Sequence, residues 1–108
     1  MAKAQWKLVR DNIPEIMIEQ GKTPETRILD DKAYKKALIA KLDEEVKELK
    51  QALVGDKLSH TVAEVGDVLE VLAAIGVAFE LPNNVIFDTA NIKRERNGAF
   101  KKRIQLKL

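Results

Sequence analysis

The chain of 108 residues, with 45% hydrophobic and 33% charged residues, has the length and balance of one folded, surface-charged domain spanning residues 1–108, and excludes a disordered tract or two independent domains. The absence of cysteine excludes a disulfide framework, a zinc–thiolate site and a thiol nucleophile, and makes a cytoplasmic location the default expectation. A net charge of +2 hides a segregation: residues 30–70 hold ten acidic and seven basic side chains, whereas residues 91–108 hold seven basic and one acidic.

The start, Met1-Ala-Lys-Ala-Gln-Trp-Lys, has no apolar signal core. Gln5 to Pro14 reads as an extended lead-in, with Pro14 opening a short helix through Glu19 that stops at Gly21. Asp30 or Asp31 caps a long helix to Leu53, ended by Gly55, whose apolar stripe is Tyr34, Leu38, Leu42, Val46, Leu49 and Leu53. Ser59 is the expected cap of the next helix, which runs to about Glu80 before Pro82 and is apolar nearly all round from Val68 onward, so a central position is expected for it. Its greasiest run, Val68 to Phe79, carries Glu70 and is too short to span a bilayer. Asn83 is the expected cap of a helix to Asn97 with Gly98 as its stop, and the tail from Phe100 to Leu108 alternates enough for a short strand or extended segment. The fold class is all-α: a small helical bundle with short extended ends, completed by oligomerisation because so few helices cannot cover the apolar one.

Two acidic clusters stand out. Glu44, Glu45 and Glu48 lie three and four apart on the long helix, and Glu64 and Asp67 lie three apart on the next, so each set projects from one side. Glu45 falls about 50° from the centre of the apolar stripe at 100° per residue, which predicts partial burial. Antiparallel packing across the short connection would bring four carboxylates together. Such a group needs raised pKa values, a basic partner or a divalent cation, and hard oxygen ligands without histidine or cysteine favour Mg²⁺ or its substitute Mn²⁺. The competing reading is a solvated face, in which Lys41, Lys47 and Lys50 pair with the first cluster. That reading weakens for Glu64 and Asp67, which have no nearby lysine on their helix and border its most apolar part.

The string Glu44-Glu45-x-x-Glu48, fifteen residues, then Glu64-x-x-Asp67 resembles the signature of the all-α nucleoside triphosphate pyrophosphohydrolase superfamily, which includes MazG-like and phosphoribosyl-ATP pyrophosphohydrolase-like enzymes. Lys7-Leu-Val-Arg-Asp-Asn-Ile-Pro-Glu-Ile and Lys93-Arg-Glu-Arg-Asn-Gly-Ala-Phe100 extend the resemblance over nearly the whole chain. It implies Mg²⁺-dependent hydrolysis of a nucleoside triphosphate, canonical or not, between the α- and β-phosphates, as a house-cleaning activity. Carried over, Glu45, Glu48, Glu64 and Asp67 would be metal ligands, with Glu44 lining the pocket or orienting water. Lys93, Arg94 and Arg96 lead the candidates for phosphate binding, then Lys101, Lys102 and Arg103, with Lys7 and Arg10 added from the first motif. Asn12 stands where a lysine is frequent in the family and Ala99 where a glycine is frequent. Val68-Leu69-Glu70 replace the Tyr-His that typically follows the second motif in the histidine-biosynthesis branch, which disfavours that branch's substrate.

His60 reads as a surface residue of a capping region, and Trp6 and Tyr34 as core packing in preference to base stacking. A homodimer or homotetramer, no membrane and no nucleic acid complete the expectations. The alternative function is a non-enzymatic helical module that takes a partner helix on the Val68–Phe79 surface.

Overall fold

A computed structural model describes residues 4–55 and 57–108, and Met1, Ala2 and Lys3 of the expected leaderless start lie outside them. Four helices follow one another: α1 (Ile13–Glu19), α2 (Asp31–Leu53), α3 (Leu58–Ala78) and α4 (Asn83–Asn97). No strand occurs among the described residues, so the tail after Phe100 is irregular and not a β-strand. None of these helices is long and apolar enough to cross a membrane.

Local chemistry sets most boundaries. Asn12 and Pro14 open α1, and the chain leaves it through Gly21 at φ +82°, with Gly21 N–H donating to Ile18 O and Lys22 N–H to Met17 O. That pair of bonds is a Schellman ending, and glycine relieves its left-handed position. Asp30 caps α2 by accepting from Ala33 N–H at 2.8 Å.

Two expected caps are corrected. Helix α3 begins after Lys57, and Ser59 lies inside it; the Thr61 hydroxyl donates to Lys57 O and to Ala52 O at 3.1 Å, tying this first turn to the end of α2. Asn83 is the first residue of α4 and makes no cap bond; Pro82 precedes it with a preset φ of −65° and accepts from Ile86 N–H. Helix α3 also stops at Ala78, two residues before Glu80. Glu80 takes φ +56° at a second Schellman ending, with its N–H donating to Val77 O and Leu81 N–H to Gly76 O. Gly98, at φ +86° and ψ −178°, ends α4 in a conformation open essentially only to glycine.

Only residues 54–57 separate α2 from α3, and among the described residues this antiparallel pair is the one extensively packed unit. Leu38, Ala52 and Val71 are buried between them. Tyr34, Leu42, Val46 and Leu49 of the expected stripe are half-buried, whereas Leu53 is exposed.

The expectation that α3 would be central fails within the chain. Val71, Ala74, Ile75 and Ala78 face α2, but Val65, Leu69, Leu72 and Val77 are exposed, because every residue of α4 is exposed and covers little of α3. The radius of gyration, 17.9 Å, exceeds the roughly 13 Å of a compact chain of this length.

Candidate functional site

Register alone carries three carboxylates into one place. With Thr61 fixed against Ala52, Glu64 comes opposite Glu48 and Glu45 on the neighbouring helix. One oxygen from each of Glu45, Glu48 and Glu64 lies within 4.8 Å of the others. Glu45 is 6% exposed and Glu64 9%, close to the 8% of the core residue Val71.

Partial compensation surrounds the cluster. Lys41 Nζ lies 3.2 Å from Glu45 Oε1 and 3.5 Å from Glu44 Oε2, and His60 Nε2 lies 3.4 Å from Glu64 Oε1. Burial works to lower the Lys41 pKa, but its contacts with Glu45 and Glu44 together raise it, so the ammonium is firmly charged. Glu48 is pushed above the ordinary carboxylate range by burial first, and then by the negative charges of Glu45, Glu64 and Glu44. Burial pulls Glu44 the same way, but Lys7 and Lys41 outweigh it and hold that carboxyl below its usual range.

The second oxygens of Glu45 and Glu64 are buried without a hydrogen-bond partner. A buried carboxylate oxygen left so is costly unless something else satisfies it. Clustered carboxylate oxygens, without cysteine and with one flanking imidazole, are the donor set of a hard divalent cation. The residues present therefore fit such an ion.

The other expected site residues are distributed differently. Asp67, one turn beyond Glu64, is outside the trio and accepts from Arg10 at 2.7 Å. Glu44 is turned to Lys7 at 3.1 Å and to Lys41. Lys7 and Arg10 thus pin the N-terminal arm across both helices of the pair. Lys93, Arg94 and Arg96 are exposed on α4, and Lys101, Lys102 and Arg103 are exposed beyond it; among the described residues none of the six makes an ion pair.

The competing reading of the first cluster already pairs Lys41 with it, whereas His60 reads as a surface residue near a cap, although its spacing of four from Glu64 announces that contact. Sequence reasoning also places Trp6 in a core. Trp6 is 44% exposed, and the Arg27 guanidinium stacks 4.0 Å from its ring centroid, a pairing 21 residues apart that no periodicity signals.

An all-helical chain with a carboxylate cluster between two antiparallel helices defines a protein of the MazG-like, all-α pyrophosphohydrolase class. The model of the phosphoribosyl-ATP pyrophosphohydrolase family matches residues 12–94, and the chain belongs to this family. An uncharacterized protein of Mycolicibacterium smegmatis (strain ATCC 700084 / mc(2)155) is 56% identical over 46 residues, which are 43% of this chain and 47% of that protein. The chain therefore spans about half the length of that relative. No solved structure matches.

Proposed function

We propose that this protein hydrolyses a nucleoside triphosphate between its α- and β-phosphates, with Mg²⁺ or Mn²⁺, releasing a monophosphate and pyrophosphate. The observation that carries the reading is the convergence of Glu45, Glu48 and Glu64 with two buried carboxylate oxygens unsatisfied. Those three side chains would hold the metal, and Asp67 would join them on parting from Arg10. A divalent ion held there would neutralise phosphate charge and make an attacking water more acidic. Glu44, kept ionised by Lys7 and Lys41, is the carboxylate available to orient that water. Arg10, once released, and Lys7 supply positive charge for the phosphates beside the cluster.

Lys93, Arg94 and Arg96 stand on a helix that covers little of its own hairpin, so we assign them to the phosphates bound by a second copy. The exposed apolar residues Val65, Leu69, Leu72 and Val77 are the surface on which a homodimer or homotetramer would form. Val68-Leu69-Glu70 after Asp67 favour an ordinary or modified nucleoside triphosphate over phosphoribosyl-ATP, and hence a house-cleaning role in the cytoplasm.

Pyrophosphate release tests the reading, measured on a panel of ordinary and modified nucleoside triphosphates and phosphoribosyl-ATP, with Mg²⁺ and with EDTA. Release that needs Mg²⁺ and is lost in both Glu48→Gln and Asp67→Asn is the expected result. If no compound is cleaved, the proposed activity is wrong; cleavage of phosphoribosyl-ATP alone keeps the chemistry and replaces the substrate.

A further inference from the structure

A cavity of about 90 Å³ lies between the N-terminal arm and α2, walled by Trp6, Lys7 and Leu8 on one side and by Ala37, Ala40, Lys41 and Glu44 on the other. At about 30 Å³ of liquid volume per water, it has space for roughly three waters, the scale of one flat ring inserted by its edge and too small for a whole nucleotide. Its α2 wall follows the spacing i, i+3, i+4, i+7 and is therefore one face of the helix. Polarity is ordered along that face: alanines at 37 and 40, the charged pair Lys41 and Glu44, then Glu45 and Glu48 of the cluster. From the alanines to the cluster is roughly 12 Å at 1.5 Å per residue, a span that an extended nucleotide covers. An apolar aromatic end, a polar middle and a carboxylate end repeat the order of base, sugar and metal-bound phosphates.

Trp6 has what a stacking platform needs. Its ring is 44% exposed and already holds one planar cation, the Arg27 guanidinium. Its neighbours Lys7 and Arg10 pair with Glu44 and Asp67, which sets the arm, and Trp6 with it, beside α2. Trp6 precedes residue 12, where the family match begins, and lies outside the motif that starts at Lys7.

We propose that this cavity receives the nucleobase of the triphosphate, with Trp6 as its stacking face and the alanines at 37 and 40 leaving the room. The inference rests on the proposed nucleotide reaction and adds to it the element that distinguishes a nucleotide from a bare polyphosphate. Base-on-aromatic stacking tolerates many bases, so Trp6 confers affinity for heterocycles as a class.

Trp6 is the single tryptophan, so tryptophan emission reports on this one cavity-lining ring. A non-hydrolysable α,β-methylene nucleoside triphosphate, titrated with Mg²⁺, is expected to change Trp6 emission well beyond the change that inorganic tripolyphosphate, which engages only Lys7 and Arg10 of the arm, produces as it inhibits. Trp6→Ala should raise KM for the nucleotide on the order of tenfold or more with kcat unchanged, as loss of one base stack does, and Trp6→Phe should restore most of it. Ala40 is exposed, so Ala40→Leu fills the cavity without disturbing the core and should raise KM likewise. In both variants inhibition by tripolyphosphate should equal that of wild type. Equal emission changes with analogue and tripolyphosphate, or an unchanged KM in Ala40→Leu, overturn the base site and leave the reaction standing. An emission change specific to the nucleotide in a protein that releases no pyrophosphate keeps the base site and removes the reaction.

Discussion

The α2–α3 pair and the segment from Asn83 to Leu108 are opposites. Among the described residues the pair holds all the buried hydrophobic side chains and the buried carboxylates, whereas every residue of the segment is exposed. The pair carries the acidic excess of the chain and the segment the basic excess. One half therefore has a packed site that is rich in negative charge, and the other has cations on a helix with little beneath it. The difference teaches that one chain can assemble its carboxylate cluster by itself while leaving its basic helix with little of its own surface to cover.

The largest expected effect lies in the pair. Glu64→Gln should lower pyrophosphate release on the order of a hundredfold or more, at or above the loss from a missing second-shell partner. Arg96→Ala should act on KM and leave the Mg²⁺ requirement intact; equal, total losses from both would erase the distinction between the halves. In stability the contrast is sharper still. Leu38, 1% exposed, should cost about 2–5 kcal/mol on truncation to alanine, and Ile104 in the tail no more than about 0.5 kcal/mol, by denaturant melts.

Leu72→Glu tests what lies on the open side of α3. In an isolated chain this half-exposed position should tolerate the change, so a wild-type oligomer that becomes monomeric by analytical ultracentrifugation is the outcome expected if a second copy covers it. Gly66 supports the same distinction. Nothing lies within 4 Å of the place its Cβ would take, so Gly66→Ala should stabilise by about 1 kcal/mol through helix propensity, and a loss would mean that a neighbour packs there.

Titration gives the smallest effect, confined again to the pair. Glu48 has a raised folded-state pKa, so the folded state binds more protons and stability falls as pH rises through the interval from the unfolded value of 4.5 up to the raised one. Glu44 works in the other direction and lower down: its depressed pKa adds stability above 4.5 that is lost as pH falls through the folded value. Metal-free melting temperatures should therefore decline above pH 4.5 in wild type, and Glu48→Gln should flatten that decline.

The pair was largely readable from the chain, and the reason is locality. Asp30 caps three residues ahead, the stripe from Tyr34 repeats at helical spacing, and the position of Glu45 at the stripe's edge predicted its burial. A four-residue link left one way to pack, which brought Glu64 to Glu45 and Glu48. Ser59 and Asn83 misled because both sit where caps are common, yet the Thr61 hydroxyl and the fixed dihedral of Pro82 set those boundaries instead. Nothing local could announce that Arg10 would take Asp67, 57 residues away, or that Arg27 would cover Trp6. Nor could hydropathy decide whether α3 is covered by α4 or by another chain, since both satisfy the same apolar residues.

The central claim is that Glu45, Glu48 and Glu64 form a divalent-cation site belonging to the pair. Its most direct test is the melting temperature of metal-free protein with and without Mg²⁺, for wild type, Glu64→Gln and Arg96→Ala. Binding to the folded state at about a hundred times Kd adds about 2.7 kcal/mol, so wild type and Arg96→Ala should shift upward together and Glu64→Gln should not. A wild type indifferent to Mg²⁺, or a Glu64→Gln variant that shifts as far as wild type, would contradict it.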